Sequence, residues 1–112
     1  MKIRTLFIFF AILIGVPQVS YSQYSDIPKL TEHESYSNVR EKMIKAGWKP
    51  YTSNEADTCL KGDSRCEGRP EMLACAGTGM ANCKFTWEKQ DNIIAICTVG
   101  EDAKFEDMCS YP

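Results

Sequence analysis

PEMLACAGTGMANCKFTWEKQDNIIAICTVGE, residues 70–101, is the stretch that decides the fold. Pro70 suits a first helical position and Gly77 a left-handed exit, which predicts a short helix over 70–76. From Cys83 the chain alternates, Phe85 and Trp87 against Lys84, Thr86 and Glu88, as in a half-exposed strand. The run Ile93 to Val99 is β-branched and apolar on both faces, which predicts an inner strand. The turn fixes register by parity. Whether the loop is Asp91-Asn92 or the four residues Lys89 to Asn92, odd positions on the first strand face even positions on the second. Phe85 and Trp87 then share a face with Ile94 and Ile96, while Cys83 and Cys97 fall on opposite faces. Each of the four large side chains is worth about 1.5–3 kcal/mol when buried.

The chain has 112 residues. It opens with Lys2 and Arg4 before the apolar run Leu6 to Val16, then Pro17 and the small residues Ser20 and Ser22. This is the pattern of a Sec signal peptide over 1–22, cleaved after Ser22, and it predicts a secreted or periplasmic product. The run is shorter than the roughly 18 residues a spanning helix needs, so no membrane anchor is expected after cleavage. Loss of Lys2 and Arg4 removes two of 13 basic side chains and none of 15 acidic ones, which leaves the remainder more acidic than the whole chain at −2. Such a balance argues against nucleic acid and anionic membrane surface as partners.

All six cysteines, Cys59, Cys66, Cys75, Cys83, Cys97 and Cys109, follow the signal. An even number in a short exported chain predicts three disulfides. The sequential pairing is preferred among the possible connectivities. The strongest geometric argument belongs to Cys75 with Cys83, which only a turn separates; closing so small a loop contributes about 2.5 kcal/mol on chain entropy.

Residues 23–34 are polar, contain Pro28 and lack periodicity, as in a flexible or surface-lying arm. Residues 35–112 are expected to form a single domain. Its helix, over 36–46, is capped either by Thr31 with Glu34 or by Ser35 with Ser37, and puts Tyr36, Val39, Met43 and Ile44 on one stripe. Gly47 suits its end, Trp48 then reaches back to Met43, and Pro50 forbids further helix. Trp48 to Thr52 reads as an edge strand, and 53–69 as a stapled loop. The expected class is α+β, one amphipathic helix plus the short one packed on a small antiparallel sheet with up to three disulfides.

For chemistry the chain offers little. Its one histidine, His33, stands among polar residues, there is no CxxC, HExxH or Walker-type loop, and six paired cysteines leave no free thiol. No catalytic residue, metal or cofactor is expected. Gly77-Thr78-Gly79 could form an anion-binding nest of backbone N–H groups, although phosphate sites usually place glycines before a helix. Glu101-Asp102 and Glu106-Asp107 could converge as a carboxylate pair for glycoside chemistry. Trp48, Tyr51, Trp87 and Tyr111 are the aromatics least committed to the core and so available for an interface with another protein, with core packing the expected fate of Trp87 and Trp48 half used by its helix cap.

The order of features, a helix ending in AGWKP (46–50), then cysteines, then PEMLACAGTGMANCKFTW (70–87) with an apolar strand and Gly100-Glu101, resembles a group of small secreted or periplasmic bacterial proteins without a settled activity. The resemblance implies a helix-plus-sheet fold and a bacterial envelope, and it carries no catalytic residues across. The function expected is that of an exported binding protein, an inhibitor or immunity-type protein that occludes a partner protein. The alternatives are a small envelope hydrolase or carbohydrate-active protein using acids near the sheet end, and a structural envelope component.

Overall fold

The computed structural model describes residues 26–112, so the expected signal peptide and the first residues of the arm lie outside the described residues. Helix α1 spans Tyr36–Lys45. The Ser35 hydroxyl caps it by accepting from the Asn38 N–H, and Lys42 and Lys45 lie in the last turn, where the helix dipole favours cations. The helix ends in a Schellman motif: Gly47, at φ 93°, donates to Ile44 O, and the Trp48 N–H reaches Met43 O at 3.0 Å. Tyr36, Val39 and Met43 are buried. Ile44, expected on the same stripe, is exposed. The stripe is narrower than the spacing suggested.

Five strands follow in one antiparallel sheet: β1 Lys49–Pro50, β2 Met72–Cys75, β3 Cys83–Lys89, β4 Asn92–Val99 and β5 Lys104–Cys109. The path is β1-β3-β4-β5, and β2 also pairs with β3. Register is as parity requires, with Phe85 opposite Ile96, Trp87 opposite Ile94, and Lys84 opposite Cys97. The connecting turn is Gln90-Asp91, closed by the Lys89–Asn92 pair, and both its residues have positive φ (51° and 70°), as a type I′ hairpin demands. Flanked by β3 and β5, β4 is an inner strand; Ile94, Ala95 and Ile96 are buried in succession.

The short helix over 70–76 is not present. Pro70 is instead the second residue of a turn closed by Met72 N–H to Arg69 O, 3.0 Å, and residues 72–75 are β2. Proline suits that turn position as well as a helix start, and so short a segment cannot sustain a helix alone when an open edge of β3 offers backbone partners. Strand β5 was not foreseen. Cys97 pairs with Asp107 but Thr98 with Phe105, so Glu106 is an extra residue that bulges from the strand. The bulge puts Phe105 and Met108, three residues apart, opposite Thr98 and Ile96 on one face.

The core lies between α1 and the sheet face carrying Cys83, Phe85, Trp87, Ile94 and Ile96. The Tyr36 ring stacks on Phe85 with centroids 3.9 Å apart. From Asp26 onward the segment read as an arm lies along this unit: Ile27 and Leu30 touch the core, Asp26 O accepts from Trp48 Nε1, and Glu34 O accepts from Phe105 N–H.

Thr98 is fully buried, yet its Oγ1 has no hydrogen-bond partner among the described residues. Valine has the same shape without the hydroxyl, so Thr98→Val is expected to stabilise the protein by about 1 kcal/mol. A higher urea midpoint would show it; a lower one would mean that the hydroxyl is satisfied in solution.

Candidate binding surface

Three disulfides join Cys59 to Cys66, Cys75 to Cys83 and Cys97 to Cys109. The second spans directly opposed residues of β2 and β3, with Cα atoms 4.0 Å apart, and the third ties β4 to β5. The first closes a loop that contributes no strand. That loop is a chain of turns. Asp63 N–H donates to Leu60 O, Cys66 N–H to Asp63 O, and Arg69 N–H to Cys66 O.

Arg65 fastens this loop to the one between β2 and β3. Its Nε and Nη2 donate to Asp63 Oδ1 and Oδ2 at 2.8 and 2.6 Å, while Nη1 reaches Ala76 O and Ala81 O at 2.8 and 3.2 Å. The guanidinium holds the Asp63 carboxyl below the usual aspartate range, and the carboxylate in turn raises Arg65. Leu60, 73% exposed, and Met80, 67% exposed, project from the two loops so joined. Between β2 and the stapled loop lie two clefts: one of about 410 Å³ lined by Thr52, Ala56, Pro70 and Met72, and one of about 360 Å³ lined by Leu60, Arg65, Cys75 and Gly77. The Cys59–Cys66 bridge borders both.

The residues singled out from the sequence fall in different places. Trp48 and Trp87, named as candidates for an interface, are both buried: Trp87 packs in the core as its strand face requires, and the interface candidacy of both is corrected. Both indole N–H groups have internal partners, Asp26 O for Trp48 and the Tyr36 hydroxyl for Trp87, so neither ring needs solvent. Tyr51 and Tyr111 are half-buried and meet edge to face, centroids 6.1 Å apart. Gly77, Thr78 and Gly79 are exposed in the β2–β3 loop, and strand β2 rather than a helix leads into them. Glu101, Asp102, Glu106 and Asp107 are all exposed; Glu101 borders a small cleft that it shares with Asp63 and Arg65. The side chain of His33 is exposed beside Glu32.

The Asp63 carboxylate and the Sγ atoms of Cys66 and Cys75 lie within 4.8 Å of one another. Both sulfurs are held in disulfides, so no thiolate faces a cation there. Sequence reasoning missed Leu60, Met80 and Arg65. A lone leucine in the polar run between Cys59 and Cys66 was a usable signal, since nothing near it can build a core of its own. Arg65 gave none.

A second missed group is internal. Glu71 is fully buried and accepts from Arg40 through both carboxylate oxygens, while Tyr36 donates its hydroxyl to Oε2 at 2.9 Å. Burial, together with the Glu71 charge, pushes the Tyr36 phenol well above its ordinary range, so it stays protonated as a donor. The Arg69 guanidinium lies 4.9 Å over the Tyr36 ring and donates to Ser37 Oγ and Arg65 O. This chain of contacts links helix α1 to the stapled loop.

Among the described residues, no helix is long and apolar enough to cross a membrane. No protein-family model, curated protein or solved structure matches the chain.

Proposed function

We propose that the chain is an exported binding protein of the bacterial envelope that works without catalytic chemistry, occluding a partner protein as periplasmic inhibitors and immunity-type proteins do. The observation that carries this reading is Leu60, exposed on a loop that a disulfide, three turns and Arg65 all restrain. An apolar anchor on a preorganised loop loses little entropy on docking. Leucine buried in a partner's pocket contributes about 1.5–3 kcal/mol, and Met80 on the joined loop extends the patch. The expected contact is a pocket-bearing surface on another protein. The acidity of the exported chain favours a partner with a basic rim.

Leu60→Asp is expected to weaken capture of that partner by on the order of a hundredfold, because a carboxylate would be desolvated in an apolar pocket, while melting stays within about 2 °C of the parent. The measurement is recovery of one stoichiometric protein from envelope extract on immobilised residues 23–112, parent against variant. Equal recovery on both would remove Leu60 from the surface. Turnover of peptidoglycan that is lost in Glu101→Gln would replace the binding reading with the hydrolase.

A further inference from the structure

Two disulfides face one cleft. Cys59, Cys66 and Cys75 all line the space of about 360 Å³ between the stapled loop and the end of β2, a volume within the range of small-molecule sites. Cys59 and Cys75 are half-buried, whereas Cys66 is 3% and Cys83 2% exposed, so a solvent-borne nucleophile has access to one sulfur of each bridge, and only attack on Cys59 releases Cys66 beside the second bridge. The Sγ atoms of Cys66 and Cys75, which belong to different bridges, are no more than 4.8 Å apart. The Asp63 carboxylate shares that cluster, but Arg65 pairs with it through two hydrogen bonds and offsets its charge. Cys97–Cys109 lines none of this space.

We infer that this cleft is a thiol–disulfide exchange site for a low-molecular-weight thiol, with Cys59 as the sulfur attacked and Cys66 as the sulfur that passes the exchange to Cys75. In the first step the incoming thiolate attacks Cys59 Sγ. A mixed disulfide forms there, the Cys59–Cys66 bond breaks, and Cys66 leaves as a thiolate. In the second step that thiolate attacks Cys75 Sγ; the Cys66–Cys75 bond forms, the Cys75–Cys83 bond breaks, and Cys83 departs as a thiolate that takes a proton from water. Two disulfides and one thiolate enter, and two disulfides and one thiolate leave, so neither oxidant nor reductant is consumed. Opening the first staple frees the loop, which allows Cys66 to close the remaining distance.

The test uses the native protein with all bridges intact. It is incubated with reduced glutathione, quenched with acid, alkylated with N-ethylmaleimide, digested without reduction and mapped by mass spectrometry. The expected product carries glutathione on Cys59, maleimide on Cys83 and a Cys66–Cys75 linkage, whereas Cys97–Cys109, which has no second bridge beside it in this cleft, can only open or close without exchanging partners. Any other pattern overturns the inference. Such patterns include glutathione on Cys75, no reaction at the stapled loop, and glutathione on Cys59 with Cys66 alkylated and Cys75–Cys83 intact.

Discussion

Replacing Glu71 by alanine is expected to destabilise the protein by about 3 kcal/mol, the lower end of the cost of breaking a buried ion pair. The lower end applies because the Arg40 side chain keeps a quarter of its surface in solvent and recovers part of its hydration. Three losses combine. Tyr36 would lose the acceptor for its hydroxyl, Arg40 would lose both of its carboxylate bonds, and a fully enclosed side-chain volume would empty beneath the helix. At about 4–8 °C per kcal/mol for a domain this small, melting should fall by roughly 12–24 °C. The backbone contacts of residue 71, whose carbonyl accepts from Thr86 N–H, would persist, so the variant should still fold. A double change, Arg40→Met with Glu71→Leu, is expected to recover much of the loss, since replacing both partners removes the uncompensated charge. Thermal melts of the parent, Arg40→Met, Glu71→Leu and the double variant form a double-mutant cycle. A Glu71→Ala melt within a few degrees of the parent would contradict the view that this carboxylate fastens α1 to the sheet.

Reduction of all three disulfides is expected to have the larger effect. On chain entropy each loop contributes about 2.5–3 kcal/mol, and the loss of one bridge from a small exported domain commonly costs about 2–5. Together these approach the whole stability of an ordinary domain, about 5–15 kcal/mol. The apolar core that remains, chiefly Tyr36, Val39, Met43, Trp48, Phe85, Trp87, Ile94 and Ile96, is too small to offset the conformational entropy of the chain without covalent closure. Reduced and alkylated protein should therefore be unfolded at 25 °C or melt at least about 20 °C lower, followed by near-ultraviolet circular dichroism. Coincident melts of the two forms would contradict it.

Where sequence and structure agree, the determinants are local. AGWKP ends a helix because only glycine enters the left-handed turn cheaply and tryptophan follows it at the position that bonds back to Met43. Hairpin parity set the faces of Phe85, Trp87, Ile94 and Ile96 for any loop of two or four residues, and the turn has two. Where they part, two structures share one signal, or a non-local contact decides. Pro70 and Gly77 punctuate a helix and a turn-strand-turn equally well, and the open edge of β3 selected the latter. The bulge at Glu106 broke the alternation by which β5 would have been read. Both tryptophans stayed candidates for an interface because the partners of their indole N–H groups, Asp26 O and the Tyr36 hydroxyl, are distant in sequence. Glu71, after a proline, looked like an acid in a first helical turn, and nothing local announced that Arg40 would reach it. The proposed docking surface was half legible: 53–69 read as a stapled loop, but the partner loop that Arg65 secures did not.

The most direct measurement is a thiol titration and peptide map of protein purified without added thiol. No titratable thiol is expected, and unreduced digests should yield three linked pairs, Cys59 with Cys66, Cys75 with Cys83 and Cys97 with Cys109. Free thiols, or a bridge crossing between these pairs, would contradict the picture of a slight core completed by sulfur links that hold Leu60 out for a partner.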